Sequence, residues 1–228
     1  MPAASMRRAA VAVVATSGAC TSFASVRSAE VRSGAGANLV ASVSGRVSSD
    51  AGWFYSLDCT DDCGRMVAGA DVQANYGWRR GVAGRPSTLA AGTSGLFPYV
   101  EGYVQLGRGR VPYGVGARAG LPFPFARWAE HQLYGRVDLP LAPDMRLLLN
   151  PGLFVHRGTS PNGENRGSFA AFVQGVGLEV GTGRVTVTPA VALVAGRAGR
   201  TSYGHRIGPT ATVFPTASLG VALRRAAR

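Results

Sequence analysis

Lysine is absent from the 228 residues, so all 24 basic side chains are arginine, set against 12 acids. Exclusive arginine usage can follow from codon composition, and the formal charge of +12 is therefore weak evidence for an anionic partner. Nucleic-acid binding is not expected, because such surfaces cluster arginine with exposed aromatics and here the arginines are scattered through turns and strands. Cysteine is scarce too. Three in the whole chain exclude a disulfide-rich scaffold. No nucleophile elbow occurs around any serine. No phosphate loop occurs either, since Gly114 and Gly116 alternate inside a candidate strand and do not precede a helix.

What is abundant is glycine, 32 residues, in a chain that is 46% hydrophobic, which suits one β-rich domain with many turns. The clearest stretch is Met66 to Trp78. Met66, Ala68, Ala70, Val72, Ala74, Tyr76 and Trp78 share one face, and Val67, Gly69, Asp71, Gln73, Asn75 and Gly77 the other. A strand with an apolar and a polar face fits either a soluble sandwich or a membrane barrel. The Tyr-Trp pair at its end favours the barrel, because these side chains collect where hydrocarbon meets headgroups.

The same alternation predicts further strands over Asn38–Val47, Pro98–Leu106, Val111–Leu121, His131–Leu139, Met145–Val155, Ser168–Val180, Arg184–Gly196 and Pro209–Arg224, with Pro86–Thr93 the weakest. Pro151, Pro189 and Pro215 interrupt three of them and are expected at bulges or rims. Short turns are expected at 107–110, 141–144 and 181–183, and long loops at 48–65, 122–130, 157–167 and 197–208. Membrane barrels alternate short turns on one side with long loops on the other. That parity places the 48–65 loop on the long-loop side only if Pro86–Thr93 is a strand. Ten strands are therefore preferred to eight.

The N-terminus reads as an export signal: basic Arg7 and Arg8, an apolar core from Ala9 to Ala15, then small residues up to Cys20. Cleavage before Cys20 or after Ala24 would each leave a plausible mature start. Cys59 and Cys63 are close enough in sequence to pair across a tight loop in an oxidising compartment, with a metal site as the rival reading. Cys20 is then the odd cysteine and a candidate for lipidation. The expected organisation is a signal peptide over 1–19, a flexible tether over 20–36 and a barrel over 37–228.

On this pattern, the chain from about Asn38 to Arg224 resembles the small bacterial outer-membrane β-barrel proteins. Gly18-Ala19-Cys20 resembles a lipoprotein signal, with Ser17 where an aliphatic residue is usual. The resemblance implies an all-β, closed antiparallel membrane barrel, assembled by the outer-membrane machinery and surrounded by outer-membrane lipids. The chain departs from these proteins at its end, which is Leu223-Arg224-Arg225-Ala226-Ala227-Arg228 where they finish on an aromatic residue.

The polar faces carry Asp71, Glu101 and Asp138 together with Arg46, Arg118, Arg136 and Arg146. Opposed charges in a narrow lumen pair and plug it. Of the histidines, His131, His156 and His205, none stands in a catalytic motif, and they are read as rim or loop residues. The resulting expectation is a non-enzymatic barrel without cofactor or metal, with a structural or surface-interaction role and a closed, salt-bridged lumen. The alternatives are a small-solute conduit or ligand-binding barrel and, behind that, a lipid-modifying enzyme.

Overall fold

A computed structural model describes residues 25–44, 67–95, 97–121, 127–159, 165–181, 184–202 and 205–224. Ten strands form: β1 (Gly34–Ser44), β2 (Val67–Trp78), β3 (Ser87–Ser94), β4 (Phe97–Gly107), β5 (Tyr113–Gly120), β6 (Arg127–Ala142), β7 (Met145–Thr159), β8 (Asn165–Val180), β9 (Val185–Ser202) and β10 (His205–Arg224). Each pairs antiparallel with its neighbours in sequence, and β1 closes on β10, giving an up-and-down barrel without a free edge. The expected ten-stranded closed antiparallel barrel is the fold, and the weakest candidate strand, β3, is a full member paired on both sides.

Period-two side-chain alternation sets the wall. Along β2, Asp71 and Gln73 are buried while Val72, Tyr76 and Trp78 are exposed. Along β4, Tyr99, Glu101, Tyr103 and Gln105 point inward and Val100 and Leu106 outward. The outward residues meet across strands: Leu133 pairs with Leu153, and Leu153 with Phe172, all near half exposed. Tyr76 and Trp78 lie with ring centroids 4.9 Å apart at the end of β2, and Tyr113 is exposed at the start of β5, so aromatics gather outside the barrel near its short turns.

The wall is uneven. β3 and β5 have 8 residues, whereas β6 to β10 have 15 to 20. At about 3.3 Å per residue, β3 is roughly 26 Å long and β10 roughly 66 Å. Three of the expected long loops are shortened as a result: β6 begins at Arg127, β7 runs to Thr159 and β9 to Ser202. Hairpin pairing simply continues through these stretches, for example Arg206 opposite Thr201.

The internal prolines also differ from expectation. Pro189 and Pro215 lie outward in uninterrupted register, opposite Leu219 and Leu193, and Pro151 sits opposite Gln174 without a register shift. Irregularities occur instead between Gln105 and Gly107, Pro140 and Ala142, and Ile207 and Thr210. Each proline lacks an N–H to give the ladder, yet the register continues through all three.

Candidate functional site

The tether expected over 20–36 is corrected by the structure for residues 25–33, which lie inside the barrel as an extended plug. Val26, Arg27, Ser28 and Ala29 are all buried. Gly34, with φ +105°, then reverses the chain into β1, a conformation that side chains rarely adopt. β1 accordingly starts at Gly34, three residues before the expected barrel boundary.

The plug's direction follows from its partners. Arg27 meets Asp71 and Glu101, the Ala29 carbonyl accepts from the Tyr103 hydroxyl at 2.9 Å, and the Val31 N–H donates to Gln105 Oε1 at 3.0 Å. Residues 101, 103 and 105 are successive inward positions of β4, so the plug runs alongside that strand from mid-barrel toward the end that carries the short turns. Its backbone is also held by Asn150, which accepts from Arg27 N–H at 2.7 Å and donates to the Arg27 carbonyl at 3.1 Å.

Arg27 completes the central ion cluster. Its guanidinium bonds Asp71 Oδ1 at 2.6 Å, Glu101 Oε2 at 3.1 Å and Gln73 Oε1 at 2.5 Å. Arg118 bridges the same two acids, at 2.9 Å to Asp71 and 3.0 Å to Glu101, and Arg136 reaches Glu101 at 2.7 Å. Tyr99 donates to Asp71 at 2.8 Å. The Arg118 guanidinium also lies over the Tyr99 ring at 3.8 Å, and that of Arg136 lies over Tyr103 and Tyr134 at 4.5 and 4.6 Å. Cation–π contact and pairing together offset the desolvation that buried guanidinium groups suffer. Glycines make the space: a Cβ at Gly114 would strike Tyr103, one at Gly116 would strike Tyr134, and one at Gly175 or Gly177 would strike Val26.

A second group forms nearer the short turns. Asp138, fully buried, accepts from Ser28 Oγ at 2.6 Å, Ala29 N–H at 2.7 Å and Glu30 N–H at 3.3 Å. Arg146 pairs with Glu30 at 2.5 Å and stands 3.6 Å from Asp138, while Arg32 pairs with Glu30 at 3.4 Å and reaches Glu179 at 3.9 Å. This outer group is wetter: the Glu30, Arg32 and Arg146 side chains are 35%, 29% and 24% exposed. Glu30 is partly buried, which raises its carboxyl pKa, but Arg146 and Arg32 outweigh that and hold it below the usual range.

The predicted lumen residues thus divide. Asp71, Glu101, Arg118 and Arg136 form one cluster, while Asp138 and Arg146 belong to the other. Arg46, the candidate lipidation site Cys20 and the pair Cys59 and Cys63 lie outside the described residues. Sequence reasoning missed Arg27, Glu30 and Glu179. For the plug the available signal was Arg27, Glu30 and Arg32 interleaved with small residues, which no strand period reveals.

His156 is buried on β7 with Nδ1 3.3 Å from Glu130 Oε1, and its ring meets Phe97 edge-on at 5.9 Å. His131 points outward. Among the described residues no group of three His, Cys, Asp or Glu side chains could hold a metal ion. The sequence matches no known protein family, and no curated protein is similar to it.

Proposed function

We propose that this chain is an integral membrane barrel of a bacterial outer membrane, lipid-anchored through Cys20, with a closed lumen and a structural or surface-interaction role that involves no catalysis. The observation that supports this reading is the inverted partition of its side chains. Leu133, Leu153, Val191 and Val213 are 59%, 56%, 61% and 64% exposed, while Asp71, Asp138 and Glu101 are 0%, 0% and 4% exposed. In water each outward Leu or Val would forgo about 1.5–3 kcal/mol of burial, and the buried acids would gain nothing from a dry interior. Hydrocarbon outside and paired charge inside remove both penalties.

The aromatic residues by the short turns, with the start of β1 and the end of β10 at that same end, fit a periplasmic placement of the turn end, with the loop end outward. Assembly machinery and outer-membrane lipids are the partners this placement requires. Fractionation of cells, followed by electrophoresis with and without boiling, tests it. A protein extracted only by detergent, with a mobility that changes on heating, is the expected result; recovery in the soluble fraction would reject it. Mass spectrometry of the mature N-terminus tests the anchor: diacylglyceryl on Cys20 is expected, and an unmodified start at Ser25 would reject it.

A further inference from the structure

We infer that the turn end of the barrel binds a small solute that carries a carboxylate or phosphate group. Here the plug packs toward β4, β6 and β7 and leaves a cavity of about 670 Å³ beside β1, β2, β9 and β10. That volume falls within the roughly 300–1,000 Å³ of small-molecule sites. Arg27, Gln73, Glu101 and Arg136 of the central ion cluster line its inner end and form its floor. Arg32, Arg184 and Arg224 stand around its mouth, and Asn38 and Asn75 line its side.

The hydrogen-bond accounting of these lining residues is one-sided. Gln73 Nε2, Arg27 Nε and Arg224 Nη1 are shielded from solvent, and none has a hydrogen-bond partner among the described residues. All three are donors. Gln73 is 3% exposed, and its carbonyl oxygen is already taken by Arg27 and by Asn38, which donates at 2.8 Å, so only its NH₂ remains to be satisfied. The acids on the same wall are engaged: Glu101 with three arginines, Glu30 with Arg146 and Arg32, and Glu179 with Arg32 and Thr186. Unpaired buried donors carry a desolvation cost that an acceptor-rich ligand relieves, whereas a cation would have to compete with the arginines already paired to these acids.

The spacing of these donors bounds the ligand. Gln73 lies opposite Asn38 of β1, and Gly36, two residues earlier, lies opposite Arg224 of β10. Two strand residues separate floor from mouth, on the order of 7 Å. Arg184 adjoins Arg224 there, its carbonyl accepting the Arg224 N–H at 2.9 Å. A solute with acceptors at both ends, a dicarboxylate or a phosphate ester, spans that distance.

Isothermal titration of the purified full chain in detergent micelles, with sodium succinate and with sodium phosphate at constant ionic strength, tests the inference. Saturable binding of either anion is expected, and which one binds identifies the group. Arg224→Gln and Arg184→Gln should each weaken it by about tenfold. Arg184 is exposed at a turn, so its variant retains the fold and keeps the test decisive if Arg224→Gln fails to assemble. Failure of both anions to saturate, or unchanged affinity in Arg184→Gln, would overturn the inference and leave a water-filled vestibule.

Discussion

The two ion groups in the lumen use the same residue types and differ in water. In the central cluster Asp71 is fully buried and Arg27 and Arg118 are 8% and 6% exposed, whereas a few residues along the plug Glu30 and Arg32 are 35% and 29% exposed. A dry charge that loses its partner has nothing to replace it; a wet one turns to solvent. The central cluster is therefore expected to hold the plug, and the outer group to tune it.

The contrast is broken most severely by Glu101→Ala. Glu101 is the acceptor for three arginines, and its loss leaves buried guanidinium groups with too few acids. A destabilisation of about 3–5 kcal/mol is expected in urea unfolding from lipid vesicles. Arg27→Ala should cost less, about 2–3 kcal/mol by the same reasoning, because Arg118 and Arg136 still pair with the two acids. Equal losses for the two variants would show that the plug, and not the wall, dominates the cluster.

Arg32→Ala, at the outer group, should change stability by at most about 1 kcal/mol, since its pairs are partly exposed and screened by salt. The smallest effect concerns pH. Because the folded Glu30 carboxyl titrates below its ordinary range, its contribution is complete above about pH 4–5 and is lost as pH falls through the lower folded value. Glu30→Gln should therefore differ slightly from the parent at neutral pH and converge with it in acid, as read by paired unfolding curves. A gap that widens in acid would contradict that sign.

The wall was legible because its chemistry has a period. Alternation along 66–78 and 98–106 was enough to place Asp71 and Glu101 inside, Val72 and Val100 outside, and both on neighbouring parts of one lumen. Strand count was legible through turn parity, even though the loops at 157–167 and 197–208 proved largely to be strand. Those stretches are rich in Gly, Arg and Ser, so no apolar face marks them; pairing extends into them from the hairpins already formed.

The plug was illegible for a related reason. Residues 25–33 pair with no strand, and their backbone groups bond instead to the side chains of Asp138, Gln105, Asn150 and Tyr103, acceptors and donors scattered over β4, β6 and β7. Such a segment needs no repeat. The glycines that accommodate it gave a signal only in retrospect, since inward Gly175 and Gly177 read from sequence as ordinary strand glycines.

The central claim is that residues 25–33 close the barrel and that Arg27 holds them there. Planar-bilayer recording of the parent protein beside Arg27→Glu tests it most directly, because the variant sets a carboxylate against Asp71 and Glu101 and should expel the plug. Silence from the parent and discrete conductance steps from Arg27→Glu are predicted. Steady, ion-selective conductance from the parent protein would contradict the closed lumen.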